Sequence, residues 1–129
     1  MTATPVIAIV DDDESVRHAL GRLVRSFDLA VALYGSGEEL LQSAILSTVS
    51  CVITDVQMPE MNGFELCEAL RARGLPMPVI FMTAFAQAGH EARAMAAGAA
   101  SFLHKPFLDT AIIACIERAL APAPVDPGA

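Results

Sequence analysis

The stretch IAIVDDDESVR, from Ile7 to Arg17, sets a short apolar run directly against four acidic residues. The apolar run, which starts at Val6, does not alternate with polar residues, and this pattern predicts a strand buried on both faces. The residues after Arg17 carry apolar side chains at helical spacing, with Ser15 as the expected N-cap. The stretch therefore predicts one strand followed by one helix, with the acids from Asp11 to Glu14 at the junction.

The same alternation of strand and helix recurs along the chain. Further apolar runs are LAVALY (29–34), CVITD (51–55), PVIFMT (78–83) and SFLHK (101–105). The helical patterns between and after them are SGEELLQSAI (36–45, capped by Ser36), FELCEALRAR (64–73, ended by Gly74), HEARAMAAG (90–98) and DTAIIACIERALA (109–121). Five such units predict a parallel sheet with helices on both faces, and right-handed crossovers make it a doubly wound α/β fold.

Composition restricts the class of protein. The chain has 129 residues, 54% of them hydrophobic, and a net charge of −7 with eight Lys and Arg, so one domain that does not bind nucleic acid is expected. No apolar stretch approaches the ~20 residues of a membrane span, and no signal peptide is evident, so the expected location is the cytoplasm. The proline-rich residues 122–129 are interpreted as a tail or linker, so the chain is either a stand-alone domain or a fragment of a longer protein.

Polar side chains stand at the carboxyl ends of four predicted strands: Asp11 and Asp12, Asp55, Thr83, and Lys105. In a doubly wound fold these ends meet at one edge, where ligands bind. Three carboxylates there suit a hard divalent cation, most simply Mg²⁺, and the hydroxyl and ammonium suit phosphoryl transfer to a carboxylate. Taken alone, the acids could instead be helix-start residues that favour the helix dipole, and Asp55 a turn residue.

The motifs IVDDDESVR, ITDVQMPEMNGFEL, VIFMTA and AAGAASFLHKPF stand in this order along the chain. Together they make Val6 to Ala121 resemble the receiver domain of a bacterial two-component response regulator, of the CheY-like superfamily and similar to the FixJ-like subfamily. The resemblance implies a flavodoxin-like sheet of five strands in the order 2-1-3-4-5 with five helices, and a receiver (phosphoacceptor) domain over residues 1–121.

The resemblance also implies roles for individual residues. Asp55 matches the phosphoacceptor, and Asp11 and Asp12 match the acidic pair. Asp12 and Asp55 would bind Mg²⁺ by side chain and Gln57 by its backbone carbonyl, while Asp11 would act mainly through a bound water.

Other family positions contact the phosphoryl group or respond to it. Thr83 and Lys105 match the residues that contact the group, and Phe102 matches the aromatic switch, although a plain core aromatic is the competing interpretation. Phe85 would shape the pocket mouth. The Lys105–Pro106 peptide bond is expected to be cis.

The function implied is a phosphorylation-dependent signalling switch and not an enzyme. A histidine kinase or histidine phosphotransfer protein would donate the phosphoryl group. Some of Arg17, His18, Arg22 and Arg25 on the first helix should face solvent and could dock this donor, and an ordinary solvated helix face is the competing interpretation. The readout would use the face of the fourth helix, fifth strand and fifth helix, for an apolar partner or a homodimer.

Two alternatives remain at this point. A haloacid dehalogenase-like phosphatase would need an Asp two residues after the nucleophile, where this chain has Gln57. A phosphorylation-independent scaffold with the same fold would not need the five site residues.

Overall fold

The computed structural model describes residues 4–84 and 87–121. Its strands are β1 (Val6–Val10), β2 (Ala30–Tyr34), β3 (Cys51–Asp55), β4 (Val79–Thr83) and β5 (Ser101–His104). Its helices are α1 (Glu14–Arg25), α2 (Gly37–Leu41), α3 (Gly63–Ala72), α4 (His90–Ala96) and α5 (Asp109–Leu120), and a 3₁₀ turn spans Leu46–Thr48. No helix within these described ranges is long and apolar enough to cross a membrane. The predicted tail, 122–129, lies outside the described residues.

The strands form one parallel sheet in the order β2-β1-β3-β4-β5, which confirms the predicted doubly wound, flavodoxin-like fold. β1 pairs with β2 on one side and β3 on the other, so Ile7 lies opposite both Val31 and Cys51. The order therefore reverses at β1, and a crevice opens there beyond the carboxyl ends of β1 and β3.

The core lies in two layers, one on each face of the sheet. Ile7 and Ile9 point to the layer that packs against α1 and α5, whereas Ala8 and Val10 point to the layer under α2, α3 and α4. All four are completely buried, which is why the strand is apolar at every position. Burying each isoleucine contributes about 1.5–3 kcal/mol to folding.

The first two helix starts differ in how well the sequence predicts them. Asp13, not Ser15, caps α1: its Oδ1 accepts hydrogen bonds from the backbone N–H groups of Ser15 and Val16 at 2.9 and 3.2 Å. The prediction of Ser15 was wrong because α1 already begins at Glu14, so the capping position falls on Asp13, whose carboxylate reaches the free N–H groups of the first turn. Ser36 caps α2 as predicted, accepting from Glu39 N–H at 3.2 Å.

The helix α2 is shorter than the predicted 36–45. It ends at Leu41 because the Ser43 hydroxyl accepts a hydrogen bond from Ile45 N–H at 3.3 Å and also bonds the Tyr34 hydroxyl at 2.7 Å. Local bonds of this kind compete with the helical ladder. By contrast, α3 ends as predicted before Gly74, whose φ of +75° is a left-handed conformation that favours glycine.

Candidate functional site

Four predicted site residues meet at the carboxyl edge of the sheet. Carboxylate oxygens of Asp11, Asp12 and Asp55 all lie within 4.8 Å of one another. The Lys105 ammonium donates to Asp11 Oδ2 at 3.0 Å and to Asp55 Oδ2 at 3.2 Å. The sheet topology produces this group, since the acids leave β1 and β3 and the lysine follows β5.

Burial within the group is uneven. The Asp11 side chain is 0% exposed, that of Asp55 is 12% exposed and that of Lys105 is 18% exposed, whereas Asp12 is an exposed residue. Asp55 and Asp12 are therefore the carboxylates that a ligand can reach from solvent, and Asp11 lies behind them.

Each of the two less exposed carboxylates is held at both oxygens. Asp11 Oδ1 accepts from Asp13 N–H at 2.9 Å, and Asp55 Oδ1 accepts from Gln57 N–H at 3.2 Å, while Lys105 binds the other oxygen of each. Both carboxylates therefore have a set orientation before any ligand arrives, which lowers the entropy cost of binding one.

The electrostatics of the site oppose the ionisation of Asp55. Burial raises the pKa of Asp55, and the neighbouring charge of Asp11 adds to this, while Lys105 and the Gln57 N–H oppose it. Burial by itself lowers the pKa of Lys105, but the hydrogen bonds and charges of Asp11 and Asp55 outweigh it and raise that pKa. Lys105 is thus a firmly charged ammonium between two acids.

Thr83 lies at the end of β4, between the strands that lead to Asp55 and Lys105. It is 1% exposed, and its backbone carbonyl accepts from Lys105 N–H at 2.7 Å. The Lys105–Pro106 peptide bond is cis, as the resemblance implies. Phe85 lies outside the described residues.

Phe102 is not part of the acidic group. It lies on β5 opposite Phe81 of β4, is partly buried against the core layer under α4, and contacts the His104 ring edge-on at 5.3 Å between centroids. Its ring already has part of the core contact that an inward turn would provide.

Two residues have contacts at the site that the sequence does not reveal. Arg17, predicted as part of a docking surface, donates from Nη1 to the Asp11 backbone carbonyl at 2.8 Å. Asp13, which was given no role, both caps α1 and bonds Asp11. The sequence feature that could have indicated the Arg17 contact is its position one helical turn after Glu14, on the side of α1 that faces the acidic loop.

Comparison with known proteins agrees with this geometry. Residues 7–117 match the response regulator receiver domain family. The transcriptional regulatory protein FixJ of Azorhizobium caulinodans is 41% identical over 114 residues, which cover 88% of this chain and 54% of that protein. The chain therefore spans about half the length of that relative.

Solved structures give the same result. The crystal structure of FixJ-N has a TM-score of 0.82 at 35% identity, covering 92% of this chain and 95% of the other. A response regulator receiver protein from Burkholderia phymatum has a TM-score of 0.79 at 43% identity, covering 95% and 100%. On these matches and on the order of its strands, the chain belongs to the response regulator receiver domain family.

Proposed function

We propose that Asp55 accepts a phosphoryl group and that the chain acts as a phosphorylation-dependent signalling switch through that residue. The observation that carries the proposal is the Lys105 ammonium held between Asp11 and Asp55 at 3.0 and 3.2 Å. It places a fixed positive charge beside the acceptor carboxylate, where the negative charge of an incoming phosphoryl group would otherwise be repelled.

The three clustered carboxylates fit a Mg²⁺ ion, because hard oxygen donors within 4.8 Å of one another are the ligands this ion prefers. Asp12 and Asp55 are the proposed side-chain ligands, Gln57 contributes its backbone carbonyl, and Asp11 acts through a water. When bound, the ion supplies positive charge that offsets the acids and polarises a phosphoryl oxygen.

The transfer itself needs few groups. A carboxylate oxygen of Asp55 attacks phosphorus of a phosphohistidine, and the P–N bond breaks with its electron pair returning to the ring nitrogen. The imidazole leaves neutral if its other nitrogen carries a proton, and the product is an acyl phosphate on Asp55. Lys105 and Thr83 then bind the phosphoryl oxygens.

The donor is a histidine kinase or a histidine phosphotransfer protein, and the proposed docking surface is the apolar groove beside Lys105. Val16, Ala19 and Leu23 of α1 line one side of the groove, and Pro106 and Phe107 line the other. The adjacent Leu108 is 75% exposed. Exposed His18, Arg22 and Arg25 lie along α1, whereas Arg17 is partly buried and directed at Asp11.

Incubation with acetyl phosphate and Mg²⁺, followed by mass spectrometric mapping, tests the acceptor. We expect one Mg²⁺-dependent acyl phosphate, on Asp55, that Asp55→Asn removes. The matched control is Asp28→Asn, since Asp28 is exposed and its φ of +62° is one that Asn also tolerates. Native-rate labelling of Asp55→Asn would contradict the assignment, and no labelling of the wild type would favour a phosphorylation-independent scaffold.

The proposed readout face consists of α4, β5 and α5. Phosphorylation draws Thr83 towards the phosphoryl group, and Phe102 turns further into the space behind β4. Because Phe102 is already partly buried, the gain is a fraction of the roughly 1.5–3 kcal/mol for burying a fully exposed ring. Exposed Met95 on α4 would then contact an apolar partner or a second copy of the chain.

Paired NMR spectra with and without beryllofluoride, a phosphoryl mimic, test this readout. Shifts should reach Phe102 and the α4 and β5 backbone. Shifts confined to the acidic loop and the residues around Asp55 would rule out this mechanism.

A further inference from the structure

We propose that Arg17 is a positioning residue for the metal site: its guanidinium holds the Asp11–Asp12 peptide in the orientation that directs Asp12 at a bound Mg²⁺. The inference rests on the proposed function and adds to it a residue that binds neither metal nor phosphoryl group.

The hydrogen bond from Arg17 restrains the peptide unit that immediately precedes Asp12. Arg17 Nη1 donates to the Asp11 carbonyl oxygen at 2.8 Å, and this carbonyl belongs to the peptide unit that links Asp11 to Asp12. On the other side, Asp11 N–H donates to the Tyr34 carbonyl at 3.1 Å. The peptide units before and after Asp11 are therefore both tied, one to β2 and the other to α1.

Asp12 depends on this restraint more than its neighbours do. The side chains of Asp11 and Asp55 are fixed by Lys105 and by backbone N–H groups, but Asp12 is exposed and forms no salt bridge with a described residue. What restrains its direction is mainly the backbone from which it projects. A carbonyl held by a charged donor is held more firmly than one bonded to a neutral group.

The Arg17 guanidinium also lies beside Gly35 in the β2–α2 loop. A Cβ atom at Gly35 would lie 3.4 Å from Arg17 Nη1 and 2.9 Å from Glu39 Oε2. Glu39 Oε2 in turn accepts a hydrogen bond from Gly35 N–H. The absence of a side chain at Gly35 thus leaves room for the Glu39 head group, whereas a Cβ atom there would meet Arg17 at an ordinary contact distance.

Loss of Arg17 should change the Mg²⁺ affinity in opposite directions, depending on whether the residue acts through its charge or by positioning Asp12. A cation near three carboxylates repels Mg²⁺, so removing its charge should by itself tighten metal binding. Loss of the hydrogen bond frees the Asp11–Asp12 peptide and should weaken binding, by about ten-fold if it resembles the loss of other groups that orient metal ligands. The direction of the change therefore separates the two roles.

The test is isothermal titration calorimetry with MgCl₂ on the whole chain. Arg17→Gln should raise the Mg²⁺ Kd by about ten-fold. Arg17→Lys keeps the charge but loses the planar donor geometry, so it should recover part of the affinity and not all of it. The matched control is Arg22→Gln, which removes one charge from an exposed position on the same helix and should leave the Kd unchanged or slightly lower.

Arg17→Lys decides the question if Arg17→Gln does not fold, because it keeps the charge and so isolates the loss of the planar donor. A Kd for Arg17→Gln, or for Arg17→Lys where Arg17→Gln does not fold, that is equal to or below that of the wild type overturns the inference and leaves the proposed function standing. A wild type that binds no Mg²⁺ overturns the metal site itself and this inference with it.

Discussion

Removing the Asp12 charge should stabilise the metal-free protein. Asp12 faces two carboxylates, those of Asp11 and Asp55, within 4.8 Å. One such pair repels by about 3.5 kcal/mol at an effective dielectric of 20 and about 0.9 kcal/mol in bulk water. Asp12 is exposed, so the lower value applies, and Lys105 between the other two acids offsets about one of the two repulsions. Asp12→Ala should therefore gain about 1 kcal/mol, or roughly 3–5 °C in midpoint.

Mg²⁺ should make the wild type more stable than Asp12→Ala. At a concentration of 100 times its Kd, Mg²⁺ stabilises the wild type by about 2.7 kcal/mol, more than the advantage of the variant, whose affinity is weakened. Thermal melts with EDTA and with a series of MgCl₂ concentrations measure both effects. The control is Glu68→Ala, which removes the same charge from an exposed position on α3 and should respond to Mg²⁺ as the wild type does.

The reasoning is refuted if Asp12→Ala melts below the wild type in EDTA. It is equally refuted if the variant gains as much from Mg²⁺ as the wild type. High salt should shrink the metal-free difference, because screening weakens repulsion between exposed charges.

Three further perturbations test the site and its support. Burial raises the pKa of Asp55 above the ordinary 3.8, so the metal-free wild type loses stability as the pH rises from that value through the folded pKa. Asp55→Asn should therefore be more stable than the wild type at neutral pH and equal to it in acid. Urea unfolding midpoints measured across pH check this. A stability difference in favour of Asp55→Asn that grows towards acid would contradict it. Gly63→Ala would place a Cβ atom 2.5 Å from the Asp55 carbonyl oxygen, and it should cost about 1–3 kcal/mol in urea unfolding, so an unchanged midpoint would refute the close contact. Lys105→Met leaves Asp11 and Asp55 without their shared cation and should lower metal-free stability by roughly 3 kcal/mol, with recovery on adding Mg²⁺; a variant more stable than the wild type in EDTA would show that the pairing does not stabilise the fold.

The fold could be predicted from the sequence because its determinants are local and repeated. A strand covered on both faces must be apolar at every position, and the run from Val6 to Val10 shows this without reference to any other part of the chain. Right-handed crossovers then bring the ends of β1, β3, β4 and β5 to one edge. The positions of Asp11, Asp55 and Lys105 at those ends could be predicted for the same reason.

Details at element ends were decided by competition between neighbouring groups. Asp13 caps α1 in place of Ser15, and the hydroxyl of Ser43 ends α2 four residues early. Each outcome depends on which of several similar polar groups lies within hydrogen-bond distance of a free backbone N–H. A sequence pattern does not specify that distance.

Sequence by itself determined which residue types stand at each strand end, and so the class of chemistry at that edge. Only the tertiary structure decided how they are paired: Lys105 binds Asp11 across 94 positions of the chain and Asp55 across 50. It also turned Arg17 from the surface of α1 to the Asp11 carbonyl and left Phe102 partly buried. The physical reason is that hydrogen bonds and burial depend on distances of a few ångströms between segments remote in sequence, whereas strand and helix periodicity is set by adjacent residues.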